Sequence, residues 1–304
     1  MRMQRWLPLL RRSRRREWQR REEGNCCDFG GVGAMTKTYD LLDFMFPEEE
    51  LRETFPTQNH DNYLYHYTNL DAALSILKNK EIWLSEAASL NDTSEGILLY
   101  KKLIEISGNK QVRDNIIETH TLLTKNTYIG SLSKFGNLLT LWRGYGNISI
   151  GFDFWELRSS NIIEDENGDD FVTSALAISS CDYLNKSQIE KLAEDLIGKY
   201  EESIRHDVYR LLSLGSIYFD IKHPAFLDER EARIVCYLYD RKPFTNAKGK
   251  KYIKFKFDTK AIKRIVFGPS ASEDTIEKVS QQISTNINLN HIKIYKSTIP
   301  FTGK

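Results

Sequence analysis

The chain has 304 residues, of which 40% are hydrophobic and 28% are charged, and its formal net charge is +1. No apolar run approaches the roughly 18 residues that a membrane-spanning helix needs, which argues against a membrane protein. The balanced charge also argues against a protein that coats nucleic acid, although a local basic patch remains compatible with it. A soluble globular protein with a sizeable core is expected.

The first 34 residues differ from the rest of the chain. They contain nine arginines against four acidic residues, and their hydrophobic residues follow neither a helical nor an alternating period. A basic arm or a targeting peptide fits this composition, although a secretory apolar region is absent. The simpler interpretation is that translation starts at Met35. We expect residues 1–34 to be a disordered basic leader and residues 35–304 to form one α+β domain.

The four cysteines do not form a framework. Cys26 and Cys27 lie in the basic leader, whereas Cys181 and Cys236 stand alone. No CxxC pair occurs and no histidine lies at ligand spacing from a cysteine, so no metal site is expected. This cysteine usage is typical of a reducing compartment, most simply the cytoplasm.

The hydrophobic period predicts the elements from residue 63 onward. The first are a strand over 63–67, a helix over 69–80, a strand over 82–84, and helices near 97–104 and 112–123. Asp92 and Glu95 resemble a capping box for the helix near 97–104. Next come strands over 128–133, 148–154 and 175–183, loops over 141–146 and 164–170 (the latter acidic and solvated), and a helix over 189–211.

Strands over 232–239, 252–257, 263–267 and 291–295, with a helix over 273–283, end the chain. Helices are concentrated early and strands late. The fold class is therefore α+β, with a mixed or antiparallel sheet and flanking helices.

Two segments carry residue types suited to chemistry. His66 lies in an apolar strand directly before a helix, where it could bond the backbone or donate to a ribose hydroxyl at a cleft. Thr68, two residues on, could simply cap that helix. Far downstream, Glu229, Glu231 and Arg233 alternate as a strand begins, so period two places them on one face. They fit a structural ion network and also fit a catalytic site, with equal weight.

A third segment adds hydroxyls and aromatic rings. Ser131 and Ser133 lie on one strand face, and Trp142 and Tyr145 follow in the loop over 141–146. These rings could stack a flat ligand ring or could pack against the sheet. Dinucleotide, Walker, metalloprotease and serine-hydrolase motifs are absent.

Taken in order, several motifs resemble the bacterial domain-of-unknown-function family 2971. They are Tyr65-His66-Tyr67, Ile76-Leu77 with Trp83-Leu84-Ser85, Asn91-Asp92 with Glu95, Ser131-Leu132-Ser133, Leu141-Trp142 with Tyr145, Gly151-Phe152-Asp153, and Lys222, Phe226, Glu229, Glu231 and Arg233. The resemblance spans roughly residues 63–270. It names a family and implies no activity.

A second resemblance concerns mechanism. His66-Tyr67-Thr68 is similar to the His-x-Thr of the first strand in ADP-ribosyltransferases. Ser131-Leu132-Ser133 is similar to their Ser-x-Ser strand and Glu229-Arg230-Glu231 to their Glu-x-Glu loop. The match mixes features of two branches of that superfamily, since a histidine precedes a Glu-x-Glu.

This second resemblance implies an ADP-ribosyltransferase-like fold, NAD as co-substrate and no metal. It implies that His66 and Thr68 hold the two ends of the nicotinamide riboside, with Ser131 and Ser133 nearby. Trp142 or Tyr145 would stack the nicotinamide.

In the same reading Glu231 would stabilise the oxocarbenium ion, Glu229 would orient the acceptor, and Arg233 would support both carboxylates. The acceptor could be protein, nucleic acid or, as in NAD-glycohydrolases, water.

Two other functions remain open on the sequence. A non-catalytic binding module, for instance in a bacterial defence or toxin system, would use the same charges structurally. A nucleic-acid-processing protein would need a basic patch from scattered residues, namely Lys125, Lys134, Arg143, Lys248, Lys250 and Lys251.

Overall fold

A computed structural model describes residues 63–90, 96–172, 176–201, 217–238 and 241–301. The predicted leader, the capping pair Asp92 and Glu95, and the part of the predicted 189–211 helix beyond Glu201 lie outside these ranges. Within the described helices, none combines the length and apolarity needed to cross a bilayer.

The described strands fall into a large sheet and one separate pair. The strands are β1 (Tyr63–Thr68), β2 (Glu81–Glu86), β3 (Thr127–Ser133), β4 (Ile148–Asp153), β5 (Ile162–Glu164), β6 (Asp170–Val172), β7 (Leu176–Ser180), β8 (Asp182–Tyr183), β9 (Ile221–Lys222), β10 (Glu231–Tyr237), β11 (Phe244–Thr245), β12 (Lys251–Lys256), β13 (Ile262–Phe267) and β14 (Lys293–Lys296).

The described α-helices flank the large sheet. They are α1 (Leu70–Asn79), α2 (Leu98–Ile106), α3 (Lys110–Asn126), α4 (Leu139–Tyr145), α5 (Phe154–Ser159), α6 (Lys186–Glu201) and α7 (Glu273–Ser284). A 3-10 helix, Pro224–Glu229, precedes β10.

The large sheet is mixed, as the sequence predicted. Its main path runs β14-β13-β4-β1-β3-β2-β12-β5-β6, with β10 added between β3 and β7 and with β11 beside β12. The pairs in it are antiparallel except β13 with β14, which is parallel. Strands β8 and β9 form a separate parallel pair. The α+β class is therefore confirmed.

Hydrophobic side chains of the strands and helices pack into two main cores. One core includes Leu64, Leu84 and Ile234 and is covered by α1 and α7. The other lies where α2, α3 and α6 pack together near β3 and β10, and it includes Leu103 and Ile116. Burial of these side chains supplies the main stabilising term, at about 25 cal/mol for each Å² of apolar surface removed from water.

The predicted loop over 141–146 is wrong, whereas the predicted acidic loop is largely confirmed. Residues 139–145 form helix α4, whose Leu141 and Trp142 are buried, so tertiary packing overrides the glycines of this segment. The acidic segment forms the exposed turn of the β5–β6 hairpin, and only Asp165 departs from the prediction, since it is buried and paired with Arg241 at 3.0 Å. The sequence did not reveal this ion pair, because Arg241 lies 76 residues further along the chain.

Thr68 does not cap helix α1. Its neighbour Asn69 does, since its side-chain oxygen accepts from the backbone N–H of Ala72 at 3.0 Å. Thr68 is instead the buried last residue of β1.

Candidate active site

The candidate site lies at a split in the sheet, where two strands that pair with the same edge of β3 separate. Strand β10 occupies one edge of β3 along its whole length, from Thr127 to Ser133. On the other edge, β1 pairs only at Ser133 and β2 pairs only at Tyr128 and Ile129. The two strands therefore diverge, and the backbone around Ser131 lies between them. A cavity of about 350 Å³ opens there.

His66 lies at this split and lines the cavity. Its Nδ1 is 3.0 Å from the carbonyl oxygen of Ser131. A carbonyl only accepts hydrogen bonds, so Nδ1 carries the proton. Burial lowers the pKa of His66, although the bond to Ser131 opposes this. The ring is therefore neutral near pH 7, and its Nε2 is an acceptor.

Strand register places His66 and the acidic residues on different faces. Tyr65 lies opposite Ser133, and Ser133 lies opposite Glu231, so these three side chains share one face and His66 takes the other. The split nevertheless joins the two faces, because His66 and Glu231 both line the one cavity. His66 and Glu231 therefore reach the same cavity from opposite faces of the sheet.

The two glutamates meet at Lys222, whose Nζ is 2.6 Å from Glu229 and 2.5 Å from Glu231. Arg233 completes the cluster, with Nε 2.9 Å and Nη2 3.1 Å from the two carboxylate oxygens of Glu231. Arg233 is fully buried and also donates to the carbonyl of Phe219. We call these four charged residues the cavity cluster.

The electrostatics of the cavity cluster favour ionised groups. Burial alone would raise the pKa of Glu231, but Arg233 and Lys222 outweigh it and hold that pKa below its ordinary value. Burial alone would lower the pKa of Lys222, but the two carboxylates outweigh it and raise that pKa. Glu231 therefore carries its charge at neutral pH in a nearly water-free setting.

The predicted strand geometry of the acidic motif is wrong at Glu229. Strand β10 begins at Glu231, while Glu229 ends the 3-10 helix. Arg230 between them adopts a left-handed conformation with φ 46°. This turn, and not strand alternation, brings both carboxylates to one lysine. The shared face holds only for Glu231 and Arg233.

Ser133 supports this turn and does not line the cavity. Its hydroxyl donates to the carbonyl of Glu229 at 2.8 Å, and the backbone N–H of Lys134 donates to Arg230 at 2.9 Å. The Glu231 N–H donates to the Tyr183 hydroxyl at 2.7 Å. The predicted ligand contact of Ser133 is thus replaced by a positioning contact.

Helix α4 brings one of the two predicted stacking rings to the cavity. Tyr145 is 50% exposed and lines the cavity. Gly146 follows with φ 125°, and a Cβ there would lie 2.5 Å from the Thr68 carbonyl oxygen. Glycine therefore permits the end of α4 to approach β1.

Trp142 does not line the cavity. It is buried, its Nε1 donates to Asn137 at 3.0 Å, and its ring meets Tyr67 edge-on at 4.6 Å. The packing interpretation holds for this tryptophan.

Of the predicted site residues, the structure brings His66, Ser131, Tyr145, Glu229 and Glu231 to one cavity. Outside its lining are four others: Thr68, Ser133, Trp142 and Arg233.

Lys222 and Trp83 also line the cavity. The loop over 222–226 was expected to line such a site, whereas Trp83 was not predicted as a site residue. The spacing of Lys222 ahead of the two glutamates was visible in the sequence, but only the fold shows that it bridges them.

A further acidic residue, Asp220, lies near the cavity cluster. Asp220 accepts from the Ser179 hydroxyl at 2.7 Å. Burial raises the pKa of Asp220 to about 7, with the Ser179 bond and Arg233 opposing the rise. This carboxyl is therefore partly protonated at neutral pH, in contrast to Glu231.

Apart from Lys248, Lys250 and Lys251, which are close in sequence, the basic residues considered for a nucleic-acid patch lie on separate elements. Lys125 is on α3, Arg143 is on α4 above the ring of Phe301, and Lys251 pairs with Glu86 at 3.0 Å. Burial lowers the pKa of Lys134. Lys248 and Lys250 lie in the β11–β12 turn.

Comparison with solved structures finds a weak likeness. The sequence matches no protein-family model, so the resemblance to family 2971 is not confirmed, and no curated protein matches it. Solved structures of Thermus sp. 2.9 DarT, in complex with NAD+, with carba-NAD+ and with ADP-ribosylated single-stranded DNA, are similar at 10% identity. They cover 79–80% of this chain and 97–98% of theirs, with TM-scores of 0.30–0.31. A likeness this low carries no argument about function.

Proposed function

We propose that the protein is an NAD-dependent ADP-ribosyltransferase that uses the cavity at the split in the sheet. The main supporting observation is that His66, Tyr145, Glu229 and Glu231, which come from three separate segments of the chain, line one cavity of about 350 Å³. The cavity volume lies at the lower end of the range typical of small-molecule sites.

His66 and Tyr145 bind the nicotinamide riboside. The neutral His66 ring is held by the Ser131 carbonyl, so its Nε2 accepts a hydrogen bond from a ribose hydroxyl. The exposed ring of Tyr145 offers a flat surface for the nicotinamide. Thr68, Ser133 and Trp142 act through the backbone and packing around these groups.

Glu231 stabilises the reacting centre. A carboxylate offers about four acceptor positions, and Arg233 and Lys222 occupy three of those of Glu231. The remaining one accepts a ribose hydroxyl. The bond between C1′ and nicotinamide breaks with its electron pair leaving on nicotinamide, and the Glu231 charge stabilises the oxocarbenium ion that remains.

Glu229 completes the transfer. Its side chain is 15% exposed, three times the 5% of Glu231, so it is the more accessible carboxylate. It takes the proton of the acceptor as the acceptor atom bonds to C1′. The products are nicotinamide, the ADP-ribosylated acceptor and one proton. Protein, nucleic acid and water are all chemically competent acceptors.

The test is nicotinamide release from NAD by the purified protein. Glu231→Gln should lower the rate by roughly 100-fold, the usual cost of removing a preorganised electrostatic group. Glu164→Gln is the matched control, because Glu164 also binds two lysines, each at 2.5 Å, and lies outside the cavity lining. His66→Ala should raise KM for NAD several-fold.

The control for His66 is His120→Ala. His120 also bonds a backbone carbonyl, that of Gly96 at 3.0 Å, and burial lowers its pKa as well. Equal rates for wild type and Glu231→Gln would remove Glu231 from the mechanism.

A binding module, for instance in a bacterial defence or toxin system, is the second candidate. The observation that favours it is the mutual pairing of the four charges in the cavity cluster, with Glu231 only 4% exposed. Such a network can be structural. NAD binding without nicotinamide release, in the presence of protein and nucleic-acid acceptors, is the result this function predicts.

A further inference from the structure

Trp83 is a large aromatic side chain held at the surface beside the cavity. It is 51% exposed, yet it also lines the cavity next to β3. Its strand neighbours Ile82 and Leu84 are buried in the core, so alternation along β2 fixes the indole on the opposite face of the sheet from these two residues. The strand cannot bury Trp83 without exposing those two residues.

One face of the indole is already covered by a ladder of rings. Trp83 stacks on Tyr252 at 4.2 Å and 16°, and Tyr252 stacks on Phe244 at 5.3 Å and 18°. The Nζ of Lys254 lies 4.4 Å from the Phe244 centroid and closes the far end. The ladder therefore supports one face of the indole.

A hydrogen bond fixes the indole in its own plane. Trp83 Nε1 donates to Glu81 at 3.0 Å. A ring held by both stacking and a hydrogen bond loses little freedom when a ligand binds, so its exposed surface is preorganised.

Polar groups suited to the edge of a planar ligand lie beside this surface. Ser85 is two residues along β2 and opposite Tyr252, so it lies on the same face of the sheet as Trp83. Ser85 and Ser131 both line the cavity with Trp83. Their hydroxyls can donate to or accept from ring nitrogens and carbonyls.

We propose that Trp83 is the stacking surface of a nucleobase-binding subsite at the opening of the cavity. A nucleobase combines a π face with a polar edge, which matches a rigid indole flanked by hydroxyls. The base comes either from the adenine of NAD or from a single-stranded nucleic acid that presents the acceptor. This inference deepens the proposed function, but binding at Trp83 does not require catalysis.

Binding is measured by calorimetry for two probes, AMP and a single-stranded oligodeoxynucleotide of about 12 residues. Trp83→Ala should weaken at least one probe by roughly 10-fold, and Trp83→Phe should retain most of the affinity. Trp155→Ala is the matched control, since Trp155 is 40% exposed and does not line the cavity. It should leave both affinities unchanged.

The pattern of losses identifies the source of the base. Loss of AMP binding alone assigns the subsite to the dinucleotide, loss of oligonucleotide binding alone assigns it to the acceptor, and loss of both assigns it to either base. Unchanged binding of both probes in Trp83→Ala, or no binding of either by the wild type, would overturn the proposal. A wild type that binds a probe through Trp83 but releases no nicotinamide would retain the subsite and reject the enzyme.

Discussion

Two ion clusters, each with two cations and two anions, lie in different parts of this protein. The cavity cluster contains Lys222, Glu229, Glu231 and Arg233. The second, which we call the hairpin cluster, lies on β5, β6 and β12 and contains Glu164, Asp170, Lys254 and Lys256, with pair distances of 2.5–2.7 Å.

The two clusters differ in exposure. Side chains of the cavity cluster are 0–15% exposed, whereas those of the hairpin cluster are 13–52% exposed. Water screens the charges of the hairpin cluster. The charges of the cavity cluster are largely removed from water, so their mutual attraction must offset the free-energy cost of desolvation. The same number of charges of each sign therefore gives a solvated surface network in one place and a set of fixed charges at a cavity in the other.

The largest expected difference is in the free energy of unfolding when one cation is removed from each cluster. Arg233→Met leaves Glu231 buried beside a single lysine and should lower the free energy of unfolding by about 3–5 kcal/mol. Lys254→Met should lower it by about 1 kcal/mol or less. Urea denaturation of both variants measures this. Equal losses would contradict the role assigned to burial.

A smaller effect with a defined pH dependence is expected at Lys222. The pKa of Glu231 is lowered, so the stability it contributes is present above its ordinary value of 4.5 and is lost as the pH falls through the lowered value. Lys222→Met should therefore cost about 2 kcal/mol at pH 7 and progressively less below pH 4.5.

Lys256→Met is the control for Lys222, and it should cost less than half as much at pH 7. Lys222→Arg should recover part of the loss, since it keeps the charge. A deficit of the same size at pH 4 and pH 7 would show that Lys222 acts by packing alone.

The smallest expected effect on stability distinguishes two aspartates whose pKa values are shifted in opposite directions. Burial raises the pKa of Asp220 from 3.8 to about 7, so its stabilising contribution is complete below pH 3.8 and is lost as the pH rises through 7. Asp220→Asn should therefore stabilise the protein at pH 8 by about 1 kcal/mol relative to its effect at pH 5.

Asp165 in the β5–β6 turn provides the contrast. Burial would raise its pKa, but Arg241 and the backbone N–H groups of Asn167 and Asp169 outweigh it and lower that pKa. Asp165→Asn should destabilise the protein at neutral pH, and the deficit should shrink as the pH falls. Thermal unfolding from pH 3 to pH 8.5 compares the two variants. The same pH trend for both would contradict these assignments.

Local spacing was sufficient to predict much of the fold. The alternation of Tyr63–Thr68 and Ile148–Asp153 and the helical period of Leu70–Asn79 follow from backbone geometry, and each forms the expected element. Helix α4 was missed because its stability comes from burying Leu141 and Trp142 and not from its own short sequence.

The candidate site was predicted in part. The sequence singled out His66, Glu229 and Glu231, and it predicted from period two alone that Glu231 and Arg233 share a face. The sequence favoured neither Trp142 nor Tyr145 over the other as the stacking ring, and it did not predict a stacking role for Trp83. Which tryptophan is exposed depends on which helices cover each face of the sheet.

The sequence by itself determined the types of residue available for chemistry and the period of the strands that carry them, because those depend on neighbours along the chain. Only the tertiary structure decided that β1 and β2 diverge along β3 and that a left-handed turn at Arg230 brings two carboxylates to Lys222. Strand register and burial set these relations between distant segments, and no local pattern encodes them.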